Sequence, residues 1–387
     1  MDRIYLDHNA TTRPDPAVRE EMLACLDDVF GNPSSLHWFG QEARRIVDRS
    51  RKRVSKLIGA APHEIIFTSG GTESNNQAVC GIAEHFGDQK RHIITTAIEH
   101  QALLHPCSYM EQRGFEVTYL PVDENGLLDP QEVGRSLRED TALVSVMMAN
   151  NDVGTIQPLA EVSAMAKARG VLVHTDAVQA VGKIPVNVEA LGVDLLSFSG
   201  HKLYGPKGIG ALYVRQGTPL QPILYGGHQE RRLRAGTENV PAIAGFGKAC
   251  ELATERVEQR DELIRSLRDR FESLVLERID EVRINGHNLH RLPNTSNLSF
   301  AGVDGEMLAI NLDLAGIAVS TGAACSSADH EPSHVLVAMG RTAEEALSSV
   351  RFSFGLANIS DDVSYIVDAL EHAVAGVRQF KIGTSAT

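Results

Sequence analysis

The sequence of 387 residues lacks the signatures of several classes of protein. Its five cysteines are odd in number, widely spaced and without a C-x-x-C pair, which argues against a disulfide framework or a zinc ribbon. No apolar run is long enough to span a bilayer, and residues 1–7 contain no apolar targeting core. Internal repeats and low-complexity segments are also lacking. We therefore expect a globular protein of the reducing cytoplasm, without membrane contacts.

Positive charge is scarce as well. The 37 lysines and arginines are outnumbered by 50 aspartates and glutamates, which gives a formal net charge of -13. This balance argues against a general binder of nucleic acid or anionic membranes, so we expect no direct nucleic-acid partner. A hydrophobic content of 43% is enough for a large core, and the length suggests about two domains.

Short apolar runs alternate with helical patterns between residues 64 and 214. This alternation predicts an α/β fold with a mostly parallel, seven-stranded sheet covered by helices on both faces. A helix is predicted over residues 16–30, capped by Asp15 and opened by Pro16. Ligands of such sheets bind beyond the carboxyl ends of the strands. The predicted strands are residues 65–68, 93–95, 117–120, 142–148, 171–174, 195–199 and 209–214.

The remaining sequence predicts a smaller α+β unit. Residues 242–279 are predicted to form one long helix, or two abutting helices, that leads into it. Strands are expected at 296–300 and 350–354, with a helix near 305–313 and a terminal helix that begins near Ser360.

The most informative stretch is Ser199-Gly200-His201-Lys202, which follows a predicted strand. A lysine held at the end of a buried strand can form an imine with an aldehyde, and proteins anchor pyridoxal phosphate in this way. A loop lysine by itself is more often a solvated charge. The assignment of Lys202 therefore depends on the other stretches.

A second stretch, residues 68–75, has the properties of a phosphate cradle. Gly70 and Gly71 let the backbone approach an anion, and the helix that begins near Thr72 offers free N–H groups. It is not the P-loop of nucleotide hydrolases, because no G-x-x-x-x-G-K-[ST] motif occurs. The alternative is an ordinary capped turn.

Three polar residues at strand ends could serve the rest of such a cofactor. Asp176 could keep the ring nitrogen protonated, which makes the ring an electron sink, although a helix N-cap is the alternative. Gln179 could reach the ring hydroxyl. His100 could stack on the ring and pass protons near neutral pH, or it could be structural.

Asn151 and Arg351 are candidates for binding a substrate. Asn151 could bind a polar ligand group or occupy a turn. Arg351 lies in the strand-like run 350–354, where a buried guanidinium needs an anionic partner. A substrate carboxylate fits its fork geometry, and a structural salt bridge is the alternative.

The stretch 320–327 carries Cys325 among mostly small or polar residues. This composition predicts a mobile loop with an exposed thiol, which makes Cys325 a candidate nucleophile. The other four cysteines lie in apolar or helical contexts and are expected to be packing residues.

Residues 330–334 match the zinc-protease motif H-E-x-x-H. Pro332 fits only in the first turn of a helix, which would leave His330 outside that helix, and no G-x-x-H follows. We therefore expect no metal site.

Taken together, these stretches resemble the cysteine desulfurases of the NifS and IscS type, which are aminotransferase-like pyridoxal phosphate enzymes. The resemblance covers nearly the whole chain. It is carried by residues 5–12, 31–37, 72–75, 99–100, 176–179, 199–202, 234–237, 324–327, 331–334 and 351. The long stretch around Cys325 is similar to the branch that delivers sulfur directly to a partner, and residues 236–240 resemble the nitrogenase-associated members.

The resemblance implies a type I pyridoxal phosphate fold that acts as a homodimer. The implied domains are residues 13–260, which bind the cofactor, and residues 1–12 with 261–387, which carry the cysteine loop. Ser199 and His201 would bind the cofactor phosphate in their own subunit, and Thr237 would reach the phosphate of the neighbouring subunit.

The implied reaction is the conversion of L-cysteine to L-alanine, with the sulfur retained on Cys325 as a persulfide. An iron–sulfur scaffold protein is the expected acceptor, and tRNA or DNA thiolation stays open. A selenocysteine lyase or an aminotransferase would use Lys202 and Asp176 without Cys325. A sulfur-carrier or assembly module with a vestigial cofactor site is the non-enzymatic alternative.

Overall fold

The computed structural model describes residues 3–321 and 331–385, except for the side chains of 257–260 and 380–385. The strands are β1 (Ile4–Tyr5), β2 (Ile65–Thr68), β3 (His92–Thr96), β4 (Glu116–Leu120), β5 (Thr141–Ser145), β6 (Leu172–Asp176), β7 (Leu195–Ser199), β8 (Gly210–Val214), β9 (Val282–Asn285), β10 (Thr295–Phe300), β11 (Ile317–Ala318) and β12 (Ser349–Ser353). The helices are α1 (Pro16–Asp28), α2 (Trp38–Leu57), α3 (Gly71–Phe86), α4 (Gln101–Gln112), α5 (Pro130–Ser136), α6 (Leu159–Lys167), α7 (Val188–Leu191), α8 (Val240–Arg278), α9 (Gly305–Leu314), α10 (His334–Ala338), α11 (Ala343–Leu347) and α12 (Ser360–Ser385).

The main sheet has seven strands in the order β2-β8-β7-β6-β5-β3-β4. Strands β7, β6, β5, β3 and β4 pair in parallel, whereas β8 is antiparallel to both of its neighbours. Because β8 runs antiparallel to both β7 and β2, β2 points the same way as the parallel strands. The carboxyl ends of β2 and of the parallel strands therefore share one edge of the sheet. The predicted α/β fold with a mostly parallel, seven-stranded sheet is confirmed.

Both faces of this sheet are buried, and alternate strand residues point to opposite faces. Ile65 and Phe67 of β2 belong to one core, which includes side chains of α1, α2 and α8. Ile66, between them, belongs to a second core with α3 and α4. Burial on both sides explains why these strands are continuous apolar runs in the sequence.

A separate core brings the two ends of the chain together. Strand β1 pairs in parallel with β11, and β12-β10-β9 form an antiparallel sheet. Leu6 is buried in the same cluster as Phe300 and Phe352. Helix α8 contributes Phe246 to the large core and Phe271 to this one. The division into 13–260 and 1–12 with 261–387 stays a prediction.

The bounds differ from the sequence-based ones at a few ends. The helix predicted over 16–30 ends at Asp28, and the Asp15 carboxylate accepts the Ala17 N–H at 2.9 Å, as predicted for a cap. The strand predicted over 142–148 is β5, which ends at Ser145, and the long helix after residue 240 is continuous. Among the described residues, no helix is both long and apolar enough to cross a bilayer.

Candidate functional site

A cavity of about 220 Å³ opens at the carboxyl edge of the main sheet. Its walls come from the segments that follow β2, β3, β5, β6 and β7, as expected for a parallel sheet. Most of the predicted site residues line it. The lining residues are Gly71, Thr72, Asn75, His100, Ala102, Met147, Asn151, Asp176, Val178, Gln179, Ser199, His201 and Lys202.

Three predicted site residues are not among the lining residues. Cys325 lies outside the described residues. Thr237 is solvent-exposed; in the same segment, Arg234 bonds the Glu73 carboxylate at 2.9 Å, beside Thr72. Arg351 is buried, and its Nη1 donates to the backbone oxygen of Asn151 at 3.2 Å. Arg351 therefore lies next to a residue that lines the cavity.

The first turn of α3 forms one wall of the cavity. Its N-cap residue, Gly70, supplies no side-chain acceptor, and the first helical bond runs from Ser74 N to Gly70 O at 3.1 Å. The N–H groups of Gly71 and Thr72 thus have no partner among the described hydrogen bonds. A Cβ atom on Gly71 would lie 2.5 Å from Val178 Cγ2, so only glycine lets the helix approach this closely.

Asp176 ends β6 and presents a buried carboxylate to the cavity. Its Oδ2 accepts from Asn75 Nδ2 at 2.6 Å, and its Oδ1 accepts the Val178 N–H at 2.9 Å. The second bond is the local cap-like contact that the alternative interpretation anticipated. Asn75 was not predicted as a site residue, although it lies one turn into the helix that begins at the phosphate cradle, and this position is the signal that could have identified it.

Lys202 follows β7 in a short 3₁₀ turn, Gly200–Lys202. Its Nζ donates to the backbone oxygens of Asn9 and Ala10, the latter at 2.8 Å. These contacts join the lysine to residues 5–12, a stretch that carries part of the family resemblance and for which no residue role was predicted. The amine is therefore not simply a solvated charge.

The two histidines of the cavity are both held neutral. Burial lowers the pKa of His100, and burial together with Lys202 and Lys207 lowers the pKa of His201 to about 4. His100 Nδ1 accepts the Ala102 N–H at 3.0 Å, which assigns the ring proton to Nε2. His201 Nδ1 contacts Thr11 Oγ1 at 3.1 Å. Each ring thus has Nε2 without a described partner.

Arg351 already has two anionic partners. Its Nη2 donates to Asp7 Oδ1 at 2.8 Å, and its Nη1 lies 3.3 Å from Asp152 Oδ1. These are the salt bridges of the alternative interpretation. However, Arg351 Nε and the Asn151 side-chain oxygen are buried without a hydrogen-bond partner. One donor and one acceptor are therefore still available to a ligand here.

In the described part of the H-E-x-x-H match, residues 331–334, only His334 belongs to a helix. Helix α10 begins at His334, after Pro332, with Ser333 as its cap, and His330 lies outside the described residues. His334 Nε2 bonds the backbone oxygen of Glu99 at 2.9 Å. Within residues 3–321 and 331–385 we find no group of His, Cys, Asp or Glu side chains that could hold a metal ion.

The residues present fit pyridoxal phosphate. The unpartnered N–H groups at the start of α3, with Ser199 near Gly71, suit a phosphate. A carboxylate at Asp176 suits a protonated ring nitrogen, and Lys202 is an amine that lines the same cavity. A site for an anion, a buried carboxylate and an amine in one cavity match the chemistry of this cofactor.

Comparisons with known proteins agree with this geometry. Residues 4–366 match the family model described as aminotransferase class-V. The chain is 51% identical over 375 residues to the cysteine desulfurase IscS of Dictyoglomus turgidum, covering 97% of this chain and 95% of that protein. It is 47% identical to the cysteine desulfurase IscS of Methanosarcina thermophila, with 97% and 93% covered.

A solved structure of a NifS-like protein superposes with a TM-score of 0.91 at 42% identity, covering 96% of this chain and 99% of that one. The chain therefore belongs to the aminotransferase class-V family of pyridoxal phosphate enzymes, and within it to the cysteine desulfurases of the IscS and NifS type.

Proposed function

We propose that this protein removes the sulfur of L-cysteine, releases L-alanine and carries the sulfur as a persulfide on Cys325. The observation that carries the proposal is the cavity that joins Lys202, Asp176 and His100 to the open N-terminus of α3. This combination supplies an amine, a buried carboxylate, a neutral imidazole and an anion site. A sulfur-carrier module without catalysis would need none of them together.

The residues that would hold the cofactor follow from this arrangement. Gly71 and Thr72, with Ser199 and His201, would bind the phosphate, and Asp176 and Gln179 would bind the ring at its nitrogen and its hydroxyl. Lys202 would hold the aldehyde carbon. When bound, pyridoxal phosphate accepts the electrons released at the substrate α-carbon.

Proton transfer is then the task of two side chains. The amine of Lys202, which lines the cavity, would remove the proton at the substrate α-carbon. His100 acts at the substrate sulfur through Nε2, because Nδ1 is engaged by the Ala102 N–H. Its low pKa keeps the ring neutral at physiological pH, so it donates a hydrogen bond without bringing a charge into the cavity.

The sulfur step takes place on Cys325. Its thiolate attacks the substrate sulfur, so that an S–S bond forms while the carbon–sulfur bond breaks. The electron pair of the broken bond stays with the β-carbon, which takes up a proton. The α-carbon regains the proton that it lost, and the product leaves as alanine. The atoms balance as L-cysteine and the enzyme thiol giving L-alanine and the enzyme persulfide.

We propose that Asn151 and Arg351 bind the substrate carboxylate. The support is the Nε–H donor of Arg351, which is buried without a partner, and the position of Asn151, which lines the cavity beside this guanidinium with an amide nitrogen that can donate. Asp7 and Asp152 compensate part of the guanidinium charge, and they hold Arg351 in place before the substrate enters.

We propose that the enzyme acts as a homodimer, with Thr237 reaching the cofactor phosphate of the second subunit. The support is the exposure of Thr237 and of a large apolar surface. Phe30, Trp38 and Leu36 are 75%, 64% and 91% exposed, and Phe30 and Trp38 both pack against Phe39. Apolar surface of this kind is typical of an interface.

The sulfur acceptor is proposed to be an iron–sulfur scaffold protein of the cytoplasm, with tRNA or DNA thiolation as alternatives. The cytoplasmic assignment is supported by Cys25, Cys80, Cys107 and Cys250, which are buried and free, as expected for packing residues.

The test is the measurement of alanine and enzyme-bound sulfur after addition of L-cysteine to the holoenzyme. Lys202→Ala should lose the characteristic cofactor absorbance and alanine production, whereas the matched control Lys207→Ala should keep both. Cys325→Ser should keep the absorbance but carry no persulfide. Alanine release at the parent rate by Cys325→Ser would instead favour a selenocysteine lyase, and a keto acid in place of alanine from the parent would favour an aminotransferase.

A further inference from the structure

We propose that Lys183 is a positioning residue of the active site. It holds the side-chain amide of Gln179 in the orientation that offers an N–H group to the cavity. The inference rests on the proposed function, in which Gln179 contacts the hydroxyl oxygen on the cofactor ring. Lys183 itself is not among the residues that line the main cavity.

Three short hydrogen bonds connect Lys183, Asn9 and Gln179. Lys183 Nζ donates to Gln179 Oε1 at 2.6 Å and to Asn9 Oδ1 at 2.8 Å. Gln179 Nε2 donates to the backbone oxygen of Asn9 at 2.9 Å. Lys202 Nζ donates to that same backbone oxygen. The side-chain nitrogens of Gln179 and Lys202 thus both donate to the backbone oxygen of Asn9, which holds the two groups next to each other.

The direction of each bond is fixed by groups that can only accept. The Asn9 carbonyl has no proton, so the nitrogen of Gln179 faces it and Oε1 must face Lys183. Asn9 Nδ2 donates to the backbone oxygen of Asn151 at 3.0 Å, so Asn9 Oδ1 also faces Lys183. Lys183 therefore donates to both oxygens, which a neutral amine can do as well as an ammonium.

The consequence for the cavity concerns the second hydrogen of Gln179 Nε2. The first is used by Asn9, and Oε1 is used by Lys183, so the second is what this amide can offer to a ligand. Gln179 is 5% exposed. Without Lys183, its oxygen would be a buried acceptor without a partner, and the amide would turn to find one.

The charges around Lys183 are consistent with this role. Burial, with Lys202 and Arg351 nearby, holds the pKa of Lys183 well below its usual range. Burial, together with Lys183, also lowers the pKa of His8. Asp261 lines the small cavity next to Lys183, but that carboxylate bonds Arg265 at 2.8 Å. The hydrogen bonds of Lys183 described above go to amide oxygens, so its task here is donation rather than ion pairing.

The test is a double-mutant comparison in the holoenzyme without substrate. The readout is the apparent pKa of the pH-dependent change in cofactor absorbance, together with the melting temperature of the apoprotein. Gln179→Leu and Lys183→Met should shift that apparent pKa in the same direction, with Lys183→Met giving roughly half of the shift or more. The double variant should shift no further than Gln179→Leu, because the two residues act through one contact.

Lys56→Met, at an exposed helix end, is the matched control and should leave the apparent pKa unchanged. Lys183→Arg keeps donor groups and should retain the parent value, which also provides a test if Lys183→Met does not fold. A loss of charge near Lys202 alone would give additive shifts in the double variant.

Additive shifts, no shift in Lys183→Met, or a large shift in Lys183→Arg would overturn the inference and leave the proposed function intact. If Gln179→Leu itself shifts nothing, the proposed ring contact fails and the inference fails with it.

Discussion

Replacing Glu99 by glutamine should change how the stability of the protein depends on pH. Glu99 is fully buried beside His100, and burial raises its pKa from 4.5 to about 8 against the stabilising bonds from Met147 N and Thr96 Oγ1. Both bonds go to Oε1 at 2.8 Å, whereas Oε2 has no partner. The native state therefore holds this carboxyl protonated at neutral pH.

The magnitude follows from proton linkage. A raised native-state pKa gives stability that is fully present below about pH 4.5 and is lost as pH rises towards 8, at about 1.4 kcal/mol per pH unit. Glutamine keeps an oxygen for Met147 and Thr96 but has no proton to lose. The unfolding free energy of the variant minus that of the parent should therefore be about 3 kcal/mol larger at pH 7 than at pH 4.

The assay is urea unfolding of both holoenzymes at pH values from 4 to 8. The quantity compared is the difference in unfolding free energy between variant and parent at each pH. Glu139→Gln, at an exposed glutamate, is the control. A difference between Glu99→Gln and parent that stays constant over this range would refute the buried, protonated carboxyl.

Two further substitutions test a buried ion pair of the large core and the start of α3. Arg51→Met should lower the unfolding free energy by about 3–5 kcal/mol, because it leaves the buried Glu230 carboxylate without its bidentate partner. The exposed pair Arg45 and Glu42 is the control, since Arg45→Met should cost less than about 1 kcal/mol. Gly71→Ala should cost about 1–3 kcal/mol of stability through its clash with Val178, and should weaken the affinity for added cofactor in an absorbance titration; unchanged cofactor affinity would contradict the role of this helix start.

The sheet and the cavity were predictable because local patterns determine them. Continuous apolar runs mark strands buried on both faces, and the runs at 65–68 and 195–199 match β2 and β7 residue by residue. Parallel connectivity then brings the ends of these strands to one edge, so residues separated by a hundred positions, such as Thr72 and Asp176, line one cavity. The element ends shifted by a few residues, as for β5, because apolar side chains continue past the last paired residue.

The contacts that cross between distant segments were not predictable from local sequence. Nothing in residues 4–5 indicates that β1 pairs with β11, more than three hundred residues away. In the same way, the two carboxylates on Arg351 and the network of Asn9 with Lys183 exist only after the chain ends pack on the sheet. Asn9 was identified as part of a motif, but its bonds depend on tertiary structure.

The central claim is that the sulfur atom of L-cysteine moves to Cys325. The most direct measurement is the mass of the peptide containing Cys325 after the holoenzyme has been mixed with L-cysteine under nonreducing conditions, with alanine measured in the same sample. The account predicts a gain of one sulfur atom on that peptide together with alanine, and no gain in Lys202→Ala. Alanine without added sulfur on Cys325, or added sulfur on another cysteine, would contradict it.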